Sequence, residues 1–409
     1  MATRWNRREF LQRSAALAAI GGSAATLLAA CGSSSSTGSG AVNELIGTPA
    51  KPVTLPIASD NSAIKDGLKP ETGTLTVLNY ADYVAPDVIK AFEQQFNVSV
   101  QITTFDSDSE LIEKLRTGAL KGDVLMSAAY NSFYKLIAAK ILRPLNHSYL
   151  PNITNLLPTF QDPFYDRGSR YTVPYTVYGV GLDYRTDKVP AADLDAKGWG
   201  IVWDTSYKGY VSVLNDYREA LSLALLRKGI TDVNTTDAAL IAQAGKDLQE
   251  LTSTNNVKVT IEGYKDVPEG TSYIAEGYSG DMVNGQYNLP QGTDVGVLGF
   301  WRPKDGKFLV NNDCMCILRS SSKPALSHAF LNYFLDVENA ATNFATNGYQ
   351  PPLTALSADE LIKRELVPTS LSSTVLSGDD IANGLRLLGL PADAEKLWTD
   401  AYSKFYSGD

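Results

Sequence analysis

Two carboxylates three residues apart, Asp216 and Glu219, open the stretch LNDYREALSLALLRKG at residues 214–229. At the head of a helix such a pair can cap: an Asp at the N-cap accepts from backbone N–H groups, and a Glu three residues on reaches back. The same pair can face a cleft and hold a cation. The local sequence favours the cap, and Arg227, Lys228 and Gly229 close the same stretch as a helix C-terminus should.

Other strand-like stretches end in similar groups. Tyr80, Ala81, Asp82 and Tyr83 follow TLTVLN; Ala128, Ala129 and Tyr130 follow GDVLMS; Tyr278 and Asp281 sit in IAEGYSGDMV. Asn311 and Asp313 lie in LVNND, and Tyr349 in NGYQPP; the only basic residue in the set is Arg218. This chemistry suits an organic ammonium group. Carboxylates give it charge-assisted hydrogen bonds, while aromatic faces attract the cation and pack on its methylenes at ~0.5–2 kcal/mol per contact. Two such clusters across a cleft suit a ligand with two or more amines. Against this, Asp82 also reads as a cap ahead of Pro86, and with 21 tyrosines in the chain any single one is more often packing than ligand-binding.

The elements that must position these residues alternate. Strand-like TLTVLN, VSVQITTF and GDVLMSAA are separated by helix-like APDVIKAFEQQF, DSELIEKLRTG and NSFYKLIAAK, which predicts a parallel sheet with crossover helices. A second run includes TVPYTVYGVGLDYR and YVSVLN as strands, then the helices YREALSLALLRK and TDAALIAQAGKDLQELTST. KFLVNNDCMCILR reads as a further strand, PALSHAFLNYFLDVENAATNFAT as one long helix, and the C-terminus from GDDIANGLRLLG to AEKLWTDAYSKFYSG as helical. Two successive α/β units predict two lobes with a cleft, and in open α/β sheets ligands bind beyond the carboxyl ends of the strands.

The first thirty residues stand apart. A basic TRWNRREFLQRS precedes a small-residue apolar stretch of signal-peptide character, short and weakly hydrophobic for a membrane span. An N-terminal anchor helix is the alternative. Leu28-Ala29-Ala30-Cys31 resembles the lipobox of bacterial lipoproteins, and Arg7-Arg8 before Glu9-Phe10-Leu11 resembles a twin-arginine export signal. Residues 1–30 are expected to be removed and Cys31 acylated, with residues 31–72 a flexible tether and extended lead-in. Loss of Arg4, Arg7, Arg8 and Arg13 with Glu9 would take the net charge from −9 to −12. An acidic chain lacks the basic footprint that nucleic acid requires. Cys314 and Cys316 lie two apart on a strand, an awkward span for a bridge, and are expected to be buried free thiols.

LTVLNYADYVAPDVIKAFEQQFNVSVQITTFDSDSELIEKL resembles the opening of bacterial spermidine/putrescine-binding proteins, the solute receptors of polyamine ABC importers. GDVLMSAAYNSFYKL resembles that family's Asp-led strand and Ser-x-Tyr turn, and YTVPYTVYGVGLDYR its hinge-crossing strand. WDTSYKGYVSVLNDYREALSLALLRKG is similar to its Trp-x-x-x-Tyr-Lys-Gly segment and Asp-x-x-Glu pair; the likeness runs from about residue 74 to 409. The resemblance implies the α/β, two-lobed type II periplasmic binding fold, closing on its ligand by hinge motion. It places lobe 1 at residues 73–178 with 313–357 and lobe 2 at 179–312 with 358–409. The ligand carboxylates it implies are Asp82, Asp216, Glu219 and Asp313, and the aromatic cage Tyr80, Tyr83, Tyr130, Tyr278 and Tyr349. Asp216 and Glu219 then both cap and bind, since a cap uses only part of a carboxylate's acceptor capacity.

The chain departs from the family where Tyr80 and Tyr278 stand for a frequent Trp, Asn311 for another Trp, and Ala81 and Ala128 for small hydroxyl residues. Trp301, close in sequence to Asn311, either compensates or packs in the core. What the resemblance implies is a monomeric, exported polyamine receptor, lipid-anchored to the membrane through Cys31, facing the periplasm or cell exterior and delivering to an ABC permease, with no cofactor and no metal. The alternative is a receptor of the same fold for an amino acid, 4-aminobutyrate, a metal or a sugar, for which Arg218 is the one candidate carboxylate partner. An enzyme is not expected. His147 and His328 have no Cys or Ser neighbour suggesting a triad, and the GVG at 179–181 lies within a strand-like run rather than a phosphate loop.

Overall fold

The computed structural model describes residues 43–105 and 108–407. The expected leader and Cys31 lie outside the described residues. Among the described residues one compact unit begins at Ile46.

β1 (Thr74–Asn79) turns Leu75 and Val77 into the core and ends on Asn79, whose side-chain oxygen accepts from the Tyr80 N–H at 3.0 Å. α1 (Pro86–Phe96) starts with Pro86, where a missing N–H costs nothing, and ends at Asn97 in the left-handed region. Its N-cap is Ala85, so Asp82 does not cap it; Asp82 sits in the preceding turn at φ 55°. β2 (Ser99–Thr104), α2 (Asp108–Thr117), β3 (Val124–Ala129) and α3 (Phe133–Ala138) complete the predicted alternation, with β2 and β3 both parallel to β1.

β4 (Leu142–Arg143) precedes β5 (Thr172–Arg185), the strand on which the architecture turns. Then follow β6 (Val211–Leu214), α4 (Tyr217–Arg227), α5 (Ala238–Asn255), β7 (Lys258–Thr260), α6 (Gly263–Glu269), β8 (Ile274–Tyr278), α7 (Ser279–Gly285), β9 (Leu298–Trp301) and β10 (Val310–Leu318). The sheet order is β2-β1-β3-β10-β5-β8-β6-β7, with β4 on β10 and β9 on β5. The first part of β5, Thr172–Gly179, pairs antiparallel with β10; from Val180 onward its partners are β8 and β9. β5 therefore belongs to one half-sheet before Gly179 and to the other after it. The glycines here permit close approach, not phosphate binding. A Cβ on Gly179 would lie 2.9 Å from the Phe308 ring, and one on Gly181 would overlap the Trp301 carbonyl oxygen.

The stretch expected as one long helix is two, α8 (Pro324–Phe334) and α9 (Val337–Asn347). Asp336 breaks it: its carboxylate accepts from the Glu338 and Asn339 N–H groups, a cap that starts a new helix. At the C-terminus only Gly378–Asn383 of the GDDIANGLRLLG stretch is helical; Leu385 instead bridges Leu309, before α10 (Ala392–Ser407). The lead-in is not a free tether from Ile46 onward. Val53 exchanges backbone bonds with Phe164 and Arg167, Leu55 is buried, and Glu71 accepts from the Ala325 and Leu326 N–H groups at the start of α8.

Cys314 and Cys316 are free and buried. His328 is buried, accepting at Nε2 from the Asn146 N–H and donating at Nδ1 to the Pro324 carbonyl, while His147 binds the Ser169 carbonyl. Both imidazoles are structural. No described helix is long and apolar enough to cross a membrane.

Candidate functional site

A cavity of about 380 Å³ opens between the two half-sheets, at the carboxyl ends of β1, β3, β6 and β8. Eight of the nine ligand residues expected from sequence line it: Tyr80, Asp82, Tyr83, Asp216, Glu219, Tyr278, Asp313 and Tyr349. Tyr130 does not. Its ring packs on Phe164 and Tyr165, and its hydroxyl donates to Asn311 Oδ1 at 3.2 Å. Trp301 is no substitute wall either: it packs edge-on against Trp199, and its indole N–H donates to Asp195.

The pair at the start of α4 both caps and faces the cavity. Asp216 Oδ1 accepts from the Arg218 N–H at 2.7 Å and the Glu219 N–H at 3.4 Å. Glu219 does not complete a capping box; its carboxyl is hydrogen-bonded to that of Asp216. Burial first, and then the Asp216 charge, push the Glu219 carboxyl well above the usual carboxylate range. Behind them Glu276, buried and accepting from the Leu214 N–H at 3.1 Å, is pushed up by burial to about 8.

Asp313, on β10, accepts from the Tyr83 hydroxyl at 2.9 Å and the Tyr178 hydroxyl at 3.1 Å. Near it Asp281, on α7, accepts from the Tyr349 hydroxyl at 2.7 Å and the Tyr278 N–H at 3.3 Å, and burial raises it to about 6. Five rings join these acids edge to face. Centroids lie 6.2 Å apart for Tyr80–Tyr83, 4.6 Å for Tyr83–Tyr349, 5.6 Å for Tyr349–Tyr178 and 5.2 Å for Tyr178–Tyr278. Burial raises the Tyr178 phenol first, and then the charge of Asp313 does, with a smaller effect of Glu219.

Sequence reasoning missed Tyr178, which reads as one more apolar position in a buried strand, and did not carry Asp281, although it stands three residues after Tyr278. It also missed Lys135, Tyr217, Tyr264 and Tyr402, which line the cavity from α3, α4, α6 and α10. Arg218, the one candidate partner for a ligand carboxylate, is buried. Its guanidinium donates to the Leu388 and Val233 carbonyls and to Asn234, and lies over the Trp398 ring. It is committed to the scaffold and is not poised for a ligand carboxylate. Among the described residues no group of three metal-ligating side chains occurs.

Residues 87–369 match the family described as bacterial extracellular solute-binding protein. The chain belongs to that family. Its members bind solutes and are not enzymes. Among similar proteins, the putrescine/cadaverine-binding protein of Pseudomonas aeruginosa is 28% identical over 278 residues, 65% of this chain and 76% of the relative. The spermidine/putrescine-binding periplasmic protein 1 of Haemophilus influenzae is 25% identical over 317 residues, 76% of this chain and 85% of the relative. In three dimensions the chain is similar to a putative spermidine/putrescine ABC transporter protein from Listeria monocytogenes, at TM-score 0.69, 25% identity, and 81% and 98% coverage. It is also similar to the TpPotD lipoprotein of Treponema pallidum, at TM-score 0.68, 23% identity, and 81% and 99% coverage. The fold of this solute-binding protein is accordingly the two-lobed one, with the cavity between the lobes.

Proposed function

We propose that this solute-binding protein captures a polyamine of the spermidine/putrescine class and delivers it to an ABC importer. The observation that carries the reading is the tyrosine run flanked by two pairs of acids: Asp281 and Asp313, bonded by Tyr349, Tyr83 and Tyr178, and Asp216 and Glu219, beside Tyr278. A chain of methylenes lies along ring faces and edges, and each terminal ammonium meets ionisable carboxyls. Raised carboxyl pKa values in the cleft fit a cationic ligand, whose arrival restores the charged forms. The names of the relatives point the same way. The ligand set we assign is Tyr80, Asp82, Tyr83, Asp216, Glu219, Tyr278, Asp313 and Tyr349, now with Tyr178 and Asp281.

In this reading residues 73–178 with 313–357 form lobe 1, residues 179–312 with 358–409 form lobe 2, and closure bends β5 near Gly179. The exported, monomeric receptor is held at the membrane by a lipid on Cys31. Calorimetric titration of the amine-stripped protein with putrescine, spermidine, spermine and 4-aminobutyrate tests the proposal. Micromolar or tighter binding of a polyamine is expected; silence with every amine from a folded protein rejects it.

A further inference from the structure

Of the residues lining the cavity, the two cations are Lys135 and Arg218, and the Arg218 guanidinium is bonded into the scaffold. Lys135 differs. Its ammonium, on α3, pairs at 2.8 Å with Glu395 on α10, and lies 5.6 Å from the Tyr134 ring centroid. The same Glu395 oxygen accepts from the Tyr217 hydroxyl at 2.8 Å. Tyr217 immediately follows Asp216, so the ion pair is fixed beside the Asp216–Glu219 end of the cavity. The charged groups around each phenol separate the two ends. Beyond burial, Tyr217 feels Glu395, Arg218 and Asp216, whereas Tyr349 feels Asp281 and Asp313.

We infer that Lys135 sets the length and charge count of the ligand: its ammonium occupies the position a third ligand ammonium would take, so the cleft selects diamines over triamines. The inference rests on the polyamine reading of the same site. A diamine places one ammonium at each acidic end and stops short of Lys135. A triamine in the same register carries its extra ammonium toward a resident one whose counter-ion is already engaged. Like charges at close range in a partly buried site are a strong ground for rejection, and rejecting the wrong ligand is as effective a route to specificity as attracting the right one. The Tyr217 hydroxyl prevents the simplest escape, in which Glu395 and Lys135 swing away together.

The test is calorimetric titration of the full chain, stripped of amine, with putrescine, cadaverine and spermidine. Wild type is expected to bind one or both diamines at least tenfold more tightly than spermidine. Lys135→Met frees the Glu395 carboxylate for the third ammonium and should raise spermidine affinity tenfold or more, clearly more than it raises diamine affinity. Lys135→Arg, which keeps the charge, should keep the selectivity, and Lys135→Met with Glu395→Gln should lose the spermidine gain. If Lys135 only latches the two halves together, Lys135→Met weakens all three amines alike and leaves their ratio unmoved, which overturns the inference. Equal or tighter spermidine binding by wild type also overturns it. A wild type that binds none of the amines overturns the polyamine reading itself, whatever the variants do.

Discussion

The Tyr349 hydroxyl donates to Asp281 Oδ1 at 2.7 Å, tying the segment that follows α9 to the first turn of α7 at the wall of the cavity. The bond holds a buried carboxylate in its ionised form, against the burial that raises it to about 6. Tyr349→Phe removes the donor and keeps the ring, so the aromatic run persists while Asp281 becomes harder to ionise. Polyamine affinity should fall several-fold at neutral pH, and the pH at which half of it is lost should move upward. Titrations across pH 5 to 8 check this; an unshifted profile would mean that the bond does not govern Asp281.

Asp216 allows its two roles to be separated. Asn caps a helix about as well as Asp, whereas Ala loses the cap at roughly 1 kcal/mol. Asp216→Asn should therefore leave the melting temperature near wild type and weaken polyamine binding at least tenfold, about 1.4 kcal/mol. Asp216→Ala should lose both. Asp313→Asn should match the binding loss, since the carboxylate held by Tyr83 and Tyr178 becomes neutral. Wild-type affinity in both Asn variants would withdraw these acids from the site.

Protons and ligand should compete. Glu276 at about 8, and Asp281 and Asp166 at about 6, are all raised chiefly by burial, so the folded ligand-free protein holds protons that the unfolded chain has released. Where the native state binds more protons, stability falls as pH rises. The ligand-free protein should thus melt at a higher temperature near pH 5.5 than near pH 8.5. His328, lowered by burial, opposes this as a single group. Affinity should run the other way, rising with pH by up to about tenfold per pH unit for each carboxyl that must release its proton to receive an ammonium. Melting curves with and without putrescine at the two pH values read both; a ligand-free stability that rises through this window contradicts the assignment.

Much of the site was legible because parallel strands that share a sheet bring their carboxyl ends together. The acids and tyrosines after β1, β6 and β8 had to converge once the β-α alternation was recognised. Tyr178 was hidden because TVPYTVYGVGLDYR is buried on both faces, and only the pairing of β5 with β10 reveals that Thr176 stands opposite Asp313 and that the Tyr178 hydroxyl reaches it. Lys135 and Tyr402 reach the cavity through the packing of α3 and α10, contacts hundreds of residues apart that no local pattern encodes. Tyr130 stands at a strand end as expected, but Phe164 and Tyr165, from a long loop, draw its ring away. The break at Asp336 could have been read, because an Asp followed by Val-Glu-Asn inside a helical run is a cap signal.

The partner change on β5 makes a last prediction, about two glycines on the same strand. A Cβ on Gly179 meets the edge of Phe308 at 2.9 Å and Leu376 at 3.3 Å, both side chains that can yield. One on Gly181 meets the Trp301 backbone carbonyl, fixed by the β5–β9 pairing of Leu182 with Trp301, and the Phe300 ring besides. Overpacking against fixed backbone typically costs about 1–3 kcal/mol. Gly181→Ala should lie in or above that range, forcing β9 away from β5, while Gly179→Ala should cost clearly less. Urea denaturation of the two variants provides the comparison. Equal losses would show that β9 can slide off β5 as readily as a side chain turns, and the half-sheet behind Tyr278 would then be too soft to hold the far wall of the cleft.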